Sequence, residues 1–563
     1  MKRILLCFLV FAMLFSFNSC SHFLKRGEIN VLDEGVVSGE GIDNSKALQK
    51  IFMTAGEGAT VYFPEGVYEF DSTIYLINKK NLTIVGDNAV FVRSGLDNTE
   101  KKTDERTAAF MIEGCSNITI KGITVKHSGN TSVSGEIVNV NKLLGTVDIK
   151  LHDGFEVTGK ELFMCFNTFD ENGIPDKKIE NYSAEKPYYI GQPKEDSSFT
   201  LLGLNDDELS VAQRGDKVCL RSIVAEYLFI IMNSSDTVFE DVTINNSYDG
   251  AFLIGSSSYN ATFRRLKIKS ENENALMSTN CDGIHISGLG GHLLLEDCEF
   301  YNLGDDCLNV HTTAGVVTKM SGNTVSYTTK FVDNLWATNG DVIEFYDNET
   351  FESLGTAKLK KFSLDKLAFD SIPEGVKEDT ILSNKTLHPS VTITGNKVYS
   401  NRARAFLLQT ENVVVEDCEI YGTALPAVLV APDIVNWYEV GPGKNITIRN
   451  NTFENCGRHF KGVIQIASSH DSFVNRYGSA VNENVVVENN LFKNCGVSAV
   501  FAVSTNGLTV TNNAFEDDYT GENYSTYAVF AINSDNISVV GNKLKNPKDN
   551  LFGQDNCENV TIE

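Results

Sequence analysis

The chain has 563 residues, 42% hydrophobic and 22% charged, which is enough apolar material for a large core and too much for a disordered polymer. Asp and Glu outnumber Lys and Arg by 74 to 48, and the resulting net charge of −26 repels phosphate backbones, arguing against nucleic acid as a partner. With 44 Gly, 10 Pro and recurrent Asn-Asn and Asn-Gly strings, the sequence reads as turn-rich and helix-poor.

Residues 1–20 form the first element. Lys2 and Arg3 precede an apolar run, Ile4 to Phe17, that ends at Ser19-Cys20-Ser21. The run is too short to span a bilayer and has the shape of a cleaved export signal. Its end resembles a bacterial lipoprotein signal. The expected mature chain is acylated at Cys20, exported and lipid-anchored to the bacterial outer membrane, on the periplasmic or the surface face.

Residues 21–130 open with Asp43-Asn44-Ser45, an N-cap for an amphipathic helix ending near Phe52. Short strands follow. A helix at this position covers the open end of a sheet. From here on the dominant signal is self-similarity. NLTIVGDNAVF, NITIKGITVKH, HLLLEDCEFYN, NVVVEDCEIYG, NITIRNNTFEN and NVVVENNLFKN each read as a short alternating strand, a tight Asn, Asp or Gly turn, and a second strand. One such unit cannot bury its apolar face alone, whereas a stack can. The expected fold is all-β: a right-handed parallel β-helix with an N-terminal capping helix. Cys298, Cys418, Cys456 and Cys495 fall in equivalent phrases and are expected as reduced, buried side chains stacked at one corner. No C-x-x-C occurs, and no metal site is expected.

Two stretches, 131–222 and 312–388, lose the Asn-turn phrasing. They share a late phrase, Arg214-Gly215-Asp216-Lys217-Val218 and Asn339-Gly340-Asp341-Val342-Ile343. They are read as two related small β-barrels inserted between coils. The coil segments are then 21–130, 223–311 and 389–563.

The chemistry-bearing residues emerge when two coils are aligned. Asp282-Gly283-Ile284-His285-Ile286 lies over Asp306-Cys307-Leu308-Asn309-Val310 at an offset of 24 residues. Ile284 on Leu308 and Ile286 on Val310 fix the register by the core. Asp282 and Asp306 then share a column about 4.8 Å apart, with Asp305 pointing elsewhere. Omitting the second insertion places Arg404 next in the column and Arg402 on the same face. Close carboxylates push one another's pKa up, and an adjacent guanidinium is expected to keep one ionised. That arrangement serves a proton donor and a base at one bond. His285, Asn309 and His311 lie beside it and could hydrogen-bond hydroxyls. A lone Gly-Asp-Asp is a common turn, and paired acids on a β-helix also bind calcium; no further oxygen-ligand motif accompanies these.

Two resemblances follow. Asn280-Cys281-Asp282-Gly283-Ile284 and Gly304-Asp305-Asp306-Cys307-Leu308 resemble motifs of the polygalacturonases, glycoside hydrolase family 28, whose later motifs are absent. More of the chain resembles glycoside hydrolase family 110, the α-1,3-galactosidases. The matching segments are Asp282–Gly288, Asp305–His311, Asn401-Arg402-Ala403-Arg404-Ala405 and Asn436-Trp437-Tyr438-Glu439-Val440-Gly441-Pro442. That family also has a β-helix with two inserted barrels. The resemblance implies removal of a terminal α-galactose with inversion and without cofactor, from blood group B-type or linear α-1,3-galactosides. Trp437 would supply a platform for a sugar face. Glu439 and Asp433 are further acids on that side, and Glu344, in the second barrel, is expected to reach the site from above. In the polygalacturonase pattern Asp305 donates the proton while Asp282 and Asp306 hold the water. Two alternatives stay open: a polygalacturonase-like hydrolase of acidic glycans, and a non-catalytic glycan-binding lipoprotein.

Overall fold

A computed structural model describes residues 24–99, 107–182, 187–330, 336–434, 436–467, 481–516, 525–545 and 550–563. Cys20 and the rest of the leader lie outside them. The chain is a right-handed parallel β-helix capped by a helix and interrupted by two small antiparallel barrels.

The helix Ser45–Thr54 buries Leu48, Ile51 and Phe52 on the first coil, against strand Ile74–Ile77. Its N-terminus is held by Asp43, whose carboxylate accepts the Ser45 N–H at 2.9 Å, while the Asn44 side chain turns back to Val37.

Successive coils pair in parallel, so like side chains stack. One inward column runs Phe110, Phe229, Phe252, Ile284, Leu308, Phe406, Val428. Phe110, Phe229 and Phe252 stack face to face at 5.1 and 5.0 Å. At the corners asparagine takes over. Asn412, Asn445 and Asn484 all adopt φ near +55° to +60°. Their amides bond in a ladder at 3.1 and 3.2 Å, which offsets the cost of the left-handed conformation. A second ladder, Asn451 to Asn490 to Asn513 to Asn542, runs along the inner side of the corner at 3.0 Å per step.

The four cysteines are free and buried, but they do not share one corner. Cys298 and Cys418 occupy the column of the inner asparagines, their N–H groups donating to Asn396 and Asn451. Cys456 and Cys495 stack after strands Thr452–Glu454 and Leu491–Lys493, one corner further on. The Glu-Asp-Cys and Asn-Cys phrases are thus two turns of similar composition.

In the first insertion, strands Ser132–Asn141, Thr146–Leu151, Ser198–Leu202, Tyr188–Ile190, Leu162–Phe169 and Lys217–Ser222 pair in a closed antiparallel ring. The second closes likewise through Leu308–Ser321, Thr324–Thr328, Lys366–Phe369, Ser353–Ser363, Val342–Tyr346 and Ile381–Asn384. Their shared phrase makes one turn twice. Asp216 accepts from Gln213 N and Asp341 from Thr338 N, each at 2.8 Å, and Gly215 and Gly340 both take positive φ. The strand Leu308–Ser321 belongs to both bodies. It begins as a coil strand beside Ile284–Glu296 and ends as a barrel strand.

Candidate active site

The register read from the core is the observed one: Ile284 pairs with Leu308 and Phe406, and His285 with Asn309 and Leu407. Since Ile284, Ile286, Leu308 and Val310 point inward, His285, Asn309 and His311 point out of the coil. The turn before these strands carries the acids. The Gly283 N–H donates to Asp306 O and the Cys307 N–H to Arg404 O, so Asp282, Asp306 and Arg404 stand one above another.

The carboxylates of Asp282, Asp305 and Asp306 each bring an oxygen within 4.8 Å of the others. Asp282 accepts the Asp306 backbone N–H at 3.0 Å. Asp306 accepts both the backbone N–H and the Nε–H of Arg404, at 3.0 and 2.8 Å. Asp305 leaves the column and pairs with Arg402 at 3.1 Å; its side chain is 35% exposed against 2% for Asp306. The Gly-Asp-Asp turn needs its glycine, because a Cβ on Gly304 would lie 2.6 Å from Asn280 O on the preceding coil.

Burial pushes the Asp306 carboxyl up to about 7, against the pull of the Arg404 guanidinium and with help from Asp305 and Asp282. Arg404 pulls the Asp306 carboxyl toward its ionised form, as its place in the column implies, and desolvation pulls harder the other way. Burial, then the charge of Asp305, holds Asp282 well above the usual carboxylate range. Around neutrality the buried pair retains a proton, and the two titrate as one unit.

Beside the acids lies a second group. His285 Nδ1 is 2.6 Å from Asp282 Oδ2, and its Nε2 is 3.0 Å from His311 Nε2. His311 Nε2 is also 3.5 Å from Glu439 Oε1. Glu439 comes from the short strand Glu439–Val440, which pairs antiparallel with Thr312 and Thr313. Asn309 is buried, with no hydrogen bond on Oδ1. Trp437 is 50% exposed. Lys330 places its ammonium 3.4 Å from the centre of the indole and donates to Asn436 O.

Glu344 makes its bonds within the second barrel and at its exit. It is buried in the wall of the second barrel, where Ser353 and Lys385 bond its carboxylate at 2.7 and 3.0 Å.

Sequence reading passed over three residues. Gln409 follows Leu408, the partner of Val310, so the acids' own register puts it in the His311 column; its amide donates to Glu439 Oε2 at 2.8 Å. Lys330 lies in the second insertion with no motif around it. Arg221, at the end of the first barrel, is buried and donates to Asn280 O and, at 3.4 Å, Gly304 O. No local pattern could reveal a bond to backbone 59 residues away.

Comparison with known proteins agrees with this fold. The family model of right handed beta helix regions matches residues 369–515, and that of rhamnogalacturonase A/epimerase, pectate lyase-like, matches residues 28–154. The solved structure of Yersinia enterocolitica Family 28 exopolygalacturonase superposes with a TM-score of 0.50 at 12% identity, covering 96% of this chain and 79% of that one; it bears on the fold alone. Fold, matched families and relatives by sequence together support a β-helical glycoside hydrolase. Among relatives by sequence, alpha-1,3-galactosidase B of Bacteroides thetaiotaomicron is 24% identical over 478 residues, 76% of this chain and 75% of that protein. Alpha-1,3-galactosidase A of Shewanella woodyi is 24% identical over 476 residues, 76% of each chain. The resemblance to the α-1,3-galactosidases thus extends over most of the chain.

Proposed function

We propose that the protein is an exo-acting, inverting α-galactosidase that hydrolyses terminal α-1,3-linked galactose from glycans of the blood group B-type or linear class. The observation that carries this is the division among the three acids: two buried and stacked, one exposed on an arginine. A buried pair that shares a proton still offers one ionised carboxylate to a water. Asp305, reachable from solvent, is the donor. Its proton goes to the glycosidic oxygen as the C1–O bond breaks. The water attacks C1 from the opposite face, and its proton passes to the Asp282–Asp306 pair. Metal and redox partners have no part in this balance.

Carboxyl oxygens this close are more typical of retention, since inversion usually leaves about 6.5–9.5 Å for the water. What favours inversion is that neither stacked acid is free to become a nucleophile. Both oxygens of Asp282 are held, by Asp306 N–H and His285, and Asp306 is sequestered under Arg404. His285, His311, Asn309, Glu439, Arg402 and Arg404 surround the galactose, with Trp437 and Lys330 at the rim. The lipoprotein-type leader supports an exported enzyme tethered through Cys20.

The test is hydrolysis of an aryl α-galactoside and an α-1,3-galactobioside followed by proton NMR. Release of galactose as the β-anomer first is the expected result. Release of the α-anomer first overturns inversion, and hydrolysis of polygalacturonate without galactoside turnover overturns the substrate class.

A further inference from the structure

We propose that His285, His311 and Glu439 form a binding site for one divalent transition-metal ion of the zinc class. Three ligand atoms, His285 Nε2, His311 Nε2 and Glu439 Oε1, lie within 4.8 Å of one another. The two separations at His311 Nε2, 3.0 and 3.5 Å, bracket the edge of about 3.3 Å that ligands 2.0–2.1 Å from a tetrahedral ion require.

The far side of every ligand is fixed. His285 turns Nδ1 to the Asp282 carboxylate at 2.6 Å. His311 turns Nδ1 to Thr312 O at 3.2 Å, an atom that can only accept, so that ring nitrogen bears the hydrogen. Glu439 accepts the Gln409 amide on Oε2 at 2.8 Å. Carboxylate, backbone carbonyl and amide behind the ligands are the outer partners that set the tautomers and orientation of metal-binding imidazoles.

The donor set supplies a further reason. With its Nδ1 hydrogen committed to Thr312 O, His311 presents its Nε2 lone pair 3.0 Å from His285 Nε2 and 3.5 Å from the Glu439 carboxylate. A cation bound there takes two imidazole nitrogens and one carboxylate oxygen that already converge. Imidazole and carboxylate together suit zinc and its neighbours and give magnesium too few oxygens. The strands hold the geometry: His311 and Glu439 sit on directly paired strands, and His285 is one coil below. A bound ion therefore occupies side chains that the proposed galactosidase uses for its sugar. That consequence, unlike the binding itself, rests on the hydrolase reading.

Titration calorimetry of the chelator-stripped full chain with zinc chloride is the experiment, with magnesium chloride as control. One zinc per chain is expected, weakened at least about tenfold in each of His285→Ala, His311→Ala and Glu439→Gln. A crystal of the unvaried protein soaked in zinc chloride should show an anomalous peak within coordination distance of all three side chains, a result independent of whether the variants fold. Zinc should inhibit aryl galactoside hydrolysis, and EDTA should restore it. No saturable zinc binding, or binding with the peak elsewhere and all three variants unaffected, overturns the site. Zinc bound at these residues by a chain that cleaves no galactoside in either state supports the site and removes the hydrolase reading instead.

Discussion

Asp282 accepts the backbone N–H of Asp306 at 3.0 Å, and Asp306 in turn accepts the backbone N–H of Arg404 at 3.0 Å. Each acid of the column is thus the anchor for the next coil. The β-helix does more than bring two carboxylates to a stacking distance. It uses each one's lone pair to fix the peptide that carries the next residue of the site. Asp305, one residue off the column, escapes this bonding and is the acid that reaches solvent.

That difference gives the first prediction. Asp305→Asn keeps most activity on aryl galactosides with good leaving groups. On natural disaccharides it loses about 10²–10⁴-fold, because only a poor leaving group needs the proton. A leaving-group series on the purified variant measures the slope. Equal losses across the series would show that another group is the donor.

The second concerns pH. Asp306, pushed up to about 7 chiefly by burial and held down by Arg404, must be ionised to serve as base. Activity therefore rises as pH rises through about 7 and falls below it. Arg404→Gln removes the nearest positive charge, so the same limb moves to higher pH by about one unit. The pH profile of kcat/KM reads this directly; a limb that stays put in the variant separates it from Asp306.

The architecture was largely legible in the sequence, and the reason is geometric. Ile284 over Leu308 is a core constraint repeated every coil, and a one-residue slip would expose a whole apolar face. Everything on that register followed: Asp282 over Asp306 over Arg404, with His285 and Asn309 as outward neighbours. What depends on contacts between bodies did not follow. The bonds of Glu344 to Lys385 and Ser353 join residues that only the folded barrel brings together. The upward push on the Asp306 carboxyl did not follow either, because an ion pair can be seen in a sequence alignment of coils, while the depth of burial cannot.

A third prediction tests the seam between the second barrel and the coils. Glu411, on a coil strand, meets Lys385 and His388 at the barrel's exit, at 3.7 and 3.6 Å. Its carboxyl is lowered to about 2, first by the neighbouring His388 ring and, against burial, by Lys385. A depressed acid stabilises the fold above its unfolded pKa, and that stability is lost as pH falls through the folded value. Glu411→Gln should cost up to about 3 kcal/mol at pH 7. The gap to the unvaried protein should close between about pH 5 and pH 2 in denaturant titrations. A gap independent of pH would place the cost in packing alone.

The last prediction concerns Arg221, which the first barrel sends into the turns that carry the acids. Its guanidinium donates to Asn280 O and Gly304 O, the residues before Cys281-Asp282 and Asp305. The Asn280 side chain ties the same turn to Thr131 O and Tyr248 O at 2.9 and 3.1 Å. Arg402 donates to Gly304 O from the other side. The barrel's base is therefore a clamp that sets the spacing between two acid-bearing turns, and Arg221 is a positioning residue that touches no substrate. Arg221→Met takes the Arg221 donor from Asn280 O, leaves Gly304 O to Arg402 alone, and lets the turns drift. A misplacement on the order of 1 Å at a reacting centre costs about 10²-fold. The variant should lose kcat by about ten- to a hundredfold with KM little changed, and Arg221→Lys should recover part of it. The pH limb belonging to Asp306 stays where it was, because Arg404 is intact. A role in stability alone would lower Tm and leave kcat per folded molecule unchanged, and that outcome would remove the barrel from the catalytic geometry.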